Sequence, residues 1–185
     1  VSPDGSRTGY LTRDGSISKT RTPFGASVYS IYQDSRGFIW MGAKPDGLFR
    51  LEKSKNGGFI VNTYTESRRP YSLNSNNIYD IKEDRFGRIF VGTYGGGLNI
   101  IENPWSDSPR FVNCNNALYR YPDGAKSIHD MLLASDGTLL IATNSGVFAS
   151  ATTHSPRDMR FRQYKRIPSA SESISSNQVM ALLQT

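Results

Sequence analysis

The sequence predicts an all-β fold: a β-propeller segment of about three complete four-stranded antiparallel blades, with partial blades at both termini. Three observations carry this. "VYSIYQDSRGFIWMGAKPDGLFRLE" (Val28–Glu52) recurs fifty residues later as "IYDIKEDRFGRIFVGTYGGGLNIIE" (Ile78–Glu102), with nine of twenty-five positions identical and no gap. A third copy, "IHDMLLASDGTLLIATNSGVFAS", starts at Ile128. Each copy is followed by a more polar β segment, at 59–65, within 110–121 and at 160–166. A four-stranded unit at this period is the pattern of a propeller blade, which buries its apolar faces only by stacking on neighbours.

Each element follows from local signals. In the second copy "IYDIKED" mixes apolar and polar residues at period two, "RFG" is a turn, and "RIFVGT" is a buried strand. "YGGG" is a second turn and "LNIIE" a third strand. The first copy parses the same way, with turns at "DSRG" and "KPDG". Gly37 matches Gly87 and Gly47 matches Gly97, at turns that commonly need positive φ. Inside the bulky second strands stand Gly42 and Gly92, and a strand glycine marks close approach by another backbone. Trp40, Phe90 and Leu140 lie two positions before these small residues and are expected at equivalent packed sites. The third copy has Ala142 for the glycine, Ala134 for Asp34 and Asp84, and a second turn one residue shorter. The two aspartates are expected to accept backbone hydrogen bonds within their own turns.

The expected organisation is one propeller domain. Residues 1–27 form the last strands of a preceding blade, and 28–66, 78–121 and 128–166 are the blades. Residues 167–185 form a linker and the first strand of a next blade, "VMALLQT". A closed ring needs about four to eight blades, so the chain reads as a segment of a larger propeller. A distorted four-blade ring closed by the two termini is the alternative.

Composition narrows the function classes. The 185 residues are 37% hydrophobic and 21% charged, with nine phenylalanines, ten tyrosines and seventeen glycines, which suits strands and tight turns. No apolar run approaches the roughly 18 residues of a membrane helix. The opening "VSPDGSRTGYL" lacks the charged and apolar regions of a signal peptide. A single cysteine, Cys114, excludes an internal disulfide and a cysteine-rich zinc site. The net charge of +6 suits an anionic partner but is also common on ordinary soluble proteins.

The repeat I-x-x-I-x-x-D-x-x-G-x-I-[W/F]-x-G-[T/A]-x-x-x-G-L, preceded by "SLNSNN", resembles the two-component regulator propeller repeats of hybrid two-component sensors. Ile78, Ile81, Asp84, Gly87, Ile89, Phe90, Gly92, Thr93, Gly97 and Leu98 carry the match. So do Ile31, Asp34, Gly37, Ile39, Trp40, Gly42, Gly47 and Leu48; the third copy keeps Gly137, Thr143 and Gly146. The resemblance implies a periplasmic segment of an inner-membrane protein whose other domains include a histidine kinase. It further implies an oligosaccharide signal, a homodimeric full-length sensor, and packing against the remaining blades of the same chain.

Catalytic residues, metal ligands and cofactors are expected to be absent from this segment. His129 takes the place of Tyr29 and Tyr79 on a first strand, and His154 lies in a loop. Gly95-Gly96-Gly97 is not followed by the Lys-Ser/Thr of a phosphate loop and reads as a hairpin turn. The ligand-binding candidates are Lys44, Asp46, Arg69, Tyr71, Asn74, Tyr94 and Asn144. They fall on second-to-third-strand turns and inter-blade loops, which in propellers share the face around the axis mouth. Tyrosine rings pack on the C–H faces of sugars, while amides and arginine bond hydroxyls. The basic run "RDMRFRQYKR" (157–166) is read as charge protecting an outer edge strand, and no nucleic-acid partner is expected. The rival functions are a carbohydrate-active propeller enzyme, lyase or glycosidase, and a protein-interaction scaffold.

Overall fold

The computed structural model describes residues 9–55 and 57–184. Three four-stranded antiparallel meanders follow one another along the chain. The first comprises β3 (Ser27–Gln33), β4 (Ile39–Lys44), β5 (Gly47–Lys53) and β6 (Phe59–Tyr64), preceded by a short hairpin of β1 (Tyr10–Leu11) and β2 (Ile17–Ser18). The second comprises β7 (Ile78–Glu83), β8 (Ile89–Thr93), β9 (Gly97–Ile101) and β10 (Phe111–Val112). The third comprises β11 (Ile128–Leu133), β12 (Thr138–Thr143), β13 (Gly146–Ala151) and β14 (Arg162–Tyr164). This is the blade architecture of a β-propeller segment. No helix among the described residues is long and apolar enough to cross a membrane.

The first-to-second-strand turns close as the aspartates dictate. Asp34 accepts the backbone N–H groups of Arg36 and Phe38 at 3.0 and 2.9 Å, and the Trp40 indole N–H at 2.8 Å. Asp84 accepts those of Phe86 and Arg88 at 3.0 Å and adds a buried ion pair with the Arg88 guanidinium. In both turns the glycine has positive φ, +88° at Gly37 and +73° at Gly87. Where Ala134 removes the carboxylate, Asp136 substitutes by accepting the Thr138 N–H at 2.8 Å.

The blades stack through their small-residue notches. A Cβ at Gly42 would collide with Ile78, and one at Gly92 with Ile128. What approaches the glycine is therefore a side chain of the next blade's first strand, not its backbone. A bulky β4 or β8 residue here would hold the sheets apart. Trp40, Leu48, Ile78, Ile81 and Val91 form the apolar layer between the first two blades. Phe90, Leu98, Ile128, Met131 and Phe148 belong to the layer between the second and third. On the outer side of the first blade, Met41, Phe49 and Leu51 pack with Leu11 and Phe24 from the N-terminal stretch.

Polar groups fasten the same seams. The Asp80 carboxylate accepts the Met131 N–H of the next blade at 2.8 Å, the Ile81 N–H at 2.8 Å and the Lys82 ammonium at 2.9 Å. Burial raises the Asp80 pKa, opposed by Lys82 and by these two N–H groups. One blade later Asp130 accepts the Leu182 N–H at 2.7 Å. At the end of the blades that carries the Asp34 and Asp84 turns, buried Arg50 donates to the Pro104 and Ser106 carbonyls. Arg88 donates to those of Thr153 and His154 at 2.8 and 3.0 Å.

Two expectations need adjustment at the ends. Leu140 has the register of Trp40 and Phe90 but is only half-buried, whereas those two are fully buried. The next-blade strands that cover the other two are replaced here by residues 179–184 alone. That segment, read as a first strand, forms no strand. Its backbone is held by the Val179 N–H on the Thr143 carbonyl at 3.0 Å and by the Leu182 bond to Asp130. Residues 1–8 and Thr185, included in the terminal blade fragments read from sequence, lie outside the described residues.

Candidate functional site

Every blade begins with a β-bulge. The pairing register skips one residue between Val28 and Ser30, between Ile78 and Asp80, and between Ile128 and Asp130. The skipped residues are Tyr29, Tyr79 and His129. A bulge leaves its extra residue outside the ladder and re-aims the side chain, and here the three rings meet. Tyr29 and Tyr79 lie 5.3 Å apart between centroids, and Tyr79 and His129 lie 6.3 Å apart. Tyr94, from the β8–β9 turn, lies against the last two of them, 5.7 Å from Tyr79 and 5.9 Å from His129.

Two polar groups complete the row. The Lys44 ammonium sits 5.7 Å from the Tyr79 ring centroid and donates to its hydroxyl at 3.4 Å. His129 Nε2 lies 2.8 Å from Asn144 Oδ1. Tyr29 is 56% exposed and Tyr94 39% exposed, so ring faces are open to solvent although the rings brace one another. Rings arranged this way offer apolar faces beside hydroxyl, ammonium and imidazole groups, the pairing a sugar ring requires.

The predicted site residues divide. Lys44, Tyr94 and Asn144 join this row. Asp46 does not: its carboxylate pairs with Arg13 of the N-terminal hairpin at 3.1 Å, and Arg13 also lies over the Phe49 ring at 4.7 Å. Asp46 thus secures the hairpin to the first blade. Arg69, Tyr71 and Asn74 line a separate cleft of 310 Å³ beside the loop joining the first two blades. Asn74 is committed within it. Its amide donates to the Gly96 carbonyl at 2.9 Å and its oxygen accepts from Asn99 at 2.7 Å. Asn99 in turn accepts from Asn113 at 2.9 Å, a buried amide chain that leaves Asn74 a fastening role.

Sequence reasoning missed Tyr29, Tyr79 and His129 as members of a site. A signal was present, since aromatic or imidazole rings occupy the second position of all three first strands. Strict alternation assigned those positions to an ordinary sheet face, and only the bulge brings them together. Among the described residues, no group of three or more His, Cys, Asp or Glu is placed to hold a metal ion.

Residues 23–44 and 72–95 match the family model described as two component regulator propeller. No curated protein matches the sequence. Among solved structures, the chain superposes on the extracellular domain of the hybrid two-component system BT3049 of B. thetaiotaomicron. The TM-score is 0.58 at 22% identity, over 80% of this chain and 18% of that one. The extracellular domain of the one-component system BT4673 of the same organism gives 0.63 at 20% identity, over 96% and 24%. Virginiamycin B lyase of Staphylococcus aureus gives 0.52 at 18% identity, over 85% and 47%. The chain therefore spans about a fifth of the length of the two extracellular domains, and at these identities the likeness is one of fold.

Proposed function

We propose that this chain, which carries two-component regulator propeller repeats, is a non-enzymatic segment of an extracytoplasmic sensor domain. In this reading it recognises an oligosaccharide on the ring row at the heads of its first strands. The supporting observation is the convergence of Tyr29, Tyr79 and His129 from three successive blades, with Tyr94 closing the row. A single exposed tyrosine is ordinary surface. The same position re-aimed in three blades, so that adjacent rings sit 5.3 and 6.3 Å apart, is a continuous platform.

The row crosses two blade seams, which gives recognition a mechanical outlet. A ligand lying across Tyr29, Tyr79 and His129 favours one spacing of the three blades. In a homodimeric full-length sensor, with the other blades of the ring in place, such a preference biases the arrangement of the paired subunits. A ligand shifts that equilibrium only by its differential affinity for the two arrangements.

The test is titration calorimetry of the chain with neutral oligosaccharides, with product analysis alongside. Tyr79→Ala and Tyr94→Ala are each expected to weaken binding by about tenfold, corresponding to about 1.4 kcal/mol of lost contact. Unchanged affinity in both folded variants would remove the ring row from the site. Release of shortened or unsaturated sugars would establish catalysis and overturn the non-enzymatic reading.

A further inference from the structure

We infer that the cleft between the two loops flanking the second blade is a second binding site, one that takes an oxyanion, a carboxylate or sulfate carried on a sugar. The oxyanion part rests on the cleft itself; the sugar part rests on the function proposed above.

The lining is unusual for so basic and amide-rich a surface. The 310 Å³ cleft is walled by Arg68, Arg69, Asn74, Asn113, Asn115 and Asn116, with serine, proline and tyrosine between them and no carboxylate. Acidic side chains stand in adjoining hollows that share parts of this wall, Glu66 with Arg68 and Asn115, and Asp107 with Arg69. Among the described residues neither Arg68 nor Arg69 takes part in an ion pair. Asn115 accepts only the Cys114 thiol at 3.5 Å, so its amide N–H groups lack an acceptor among the described residues. The amides of Asn74, Asn113 and Asn116 are spent on Gly96, Ser72, Asn99 and Phe111, so the donors left to the hollow are the two guanidinium forks and the Asn115 amide, a set that planar oxyanions accept from.

The backbone beneath these donors is held in an unfavourable conformation. Arg69-Pro70-Tyr71-Ser72 is a turn closed by the Ser72 N–H on the Arg69 carbonyl at 3.3 Å, with the Ser72 hydroxyl on the same oxygen at 2.9 Å. Tyr71 takes the third position with φ +58°, where glycine is the usual residue, and it is the one non-glycine residue with positive φ among those described. Its carbonyl is pinned by the Phe111 N–H at 2.9 Å, and its ring carries the Arg110 guanidinium at 4.1 Å. A tyrosine kept where glycine would be unstrained marks a position serving something besides the turn. Here its side chain lines the cleft beside Arg68 and Arg69.

The other dense basic stretch lacks this convergence. Arg162 and Tyr164 lie on the exposed edge strand β14, and Arg160 is spent on the Arg157 and Met159 carbonyls of its own segment.

The experiment is a heteronuclear NMR titration of the whole chain with glucuronate, glucose 6-sulfate, glucose and inorganic sulfate. Both charged sugars are expected to shift the amides of residues 67–74 and 113–116 saturably, with affinity falling as salt rises, while glucose leaves them in place. Arg68→Ala/Arg69→Ala should weaken the charged sugars by about tenfold or more and leave neutral oligosaccharide on the Tyr79 row untouched. Tyr71→Gly, which relieves the turn and removes the ring, should stay folded and weaken them as well. Charged sugars bound equally well by the double-arginine variant, or glucose shifting the same amides equally, would overturn the oxyanion site. Inorganic sulfate matching the charged sugars would overturn the assignment to a sugar. Loss of neutral-sugar binding at the ring row alone would instead count against the proposed function and leave this site standing.

Discussion

Ile78 and Ile81 of the second blade are 0% and 1% exposed; Val28 and Ile31, at the same repeat positions of the first, are 36% and 68% exposed. The residues have the same character and sit on equally regular strands. The difference is the neighbour: Ile78 and Ile81 meet the Gly42 notch of the preceding blade, whereas among the described residues only the short β1–β2 hairpin precedes Val28. Burial in this architecture is thus a property of the seam and not of the strand. Each first strand is half of a contact whose other half lies about forty residues earlier in the chain.

The comparison breaks or sharpens most directly through stability. Ile81→Ala is expected to cost about 2–5 kcal/mol in urea unfolding, as truncation of a buried aliphatic does. Ile31→Ala is expected to stay within about 0.5 kcal/mol, as an exposed substitution does. Equal losses would mean that the first blade is covered in solution.

Next in size is the notch itself. Gly42→Val must push Ile78 away and is expected to cost about 1–3 kcal/mol. Ala142→Val, facing only the C-terminal segment, should cost less. Thermal unfolding of the two variants compares a seam between complete blades with one between a blade and a lone segment, and a larger loss at Ala142 would reverse the order.

The smallest effect is pH-dependent. The folded-state pKa of Asp80 lies above its ordinary 3.8 because the carboxyl is buried. Over the window from 3.8 up to that value the folded chain retains a proton that the unfolded chain has lost. Stability therefore falls as pH rises through it. Asp80→Asn removes the titration, so wild type should lose stability relative to the variant as pH rises from about 4. Parallel curves would mean that the Met131, Ile81 and Lys82 contacts offset burial fully.

What was legible in the sequence follows the same division between strand and seam. The blades were readable because turn chemistry is local: Asp34, Gly37, Asp84 and Gly87 satisfy their turns with their own neighbours. The register of Trp40, Phe90 and Leu140 was readable for the same reason. The half-exposure of Leu140 was not, because it depends on residues beyond the repeat. Lys44, Tyr94 and Asn144 fall together in the ring row because turns between second and third strands cluster at one end. Asp46 shares that kind of turn but is claimed by Arg13, thirty-three residues away, a contact that no local pattern announces. Tyr29, Tyr79 and His129 escaped because alternation treats every strand position as part of the ladder.

The bulge that frees those three residues also separates two kinds of specification. Residues on either side of it, such as Ile78 and Asp80, serve the seam and have little latitude in size or polarity. The bulged residue stands outside the ladder and meets the next blade only through the ring row, and the third blade shows its latitude: histidine replaces tyrosine with the β11–β12 ladder resuming at Asp130 as it does at Asp80. Each blade therefore presents one interchangeable letter at its head on a frame that stays constant. Three blades spell a three-letter word, and its meaning can be rewritten without refolding the page.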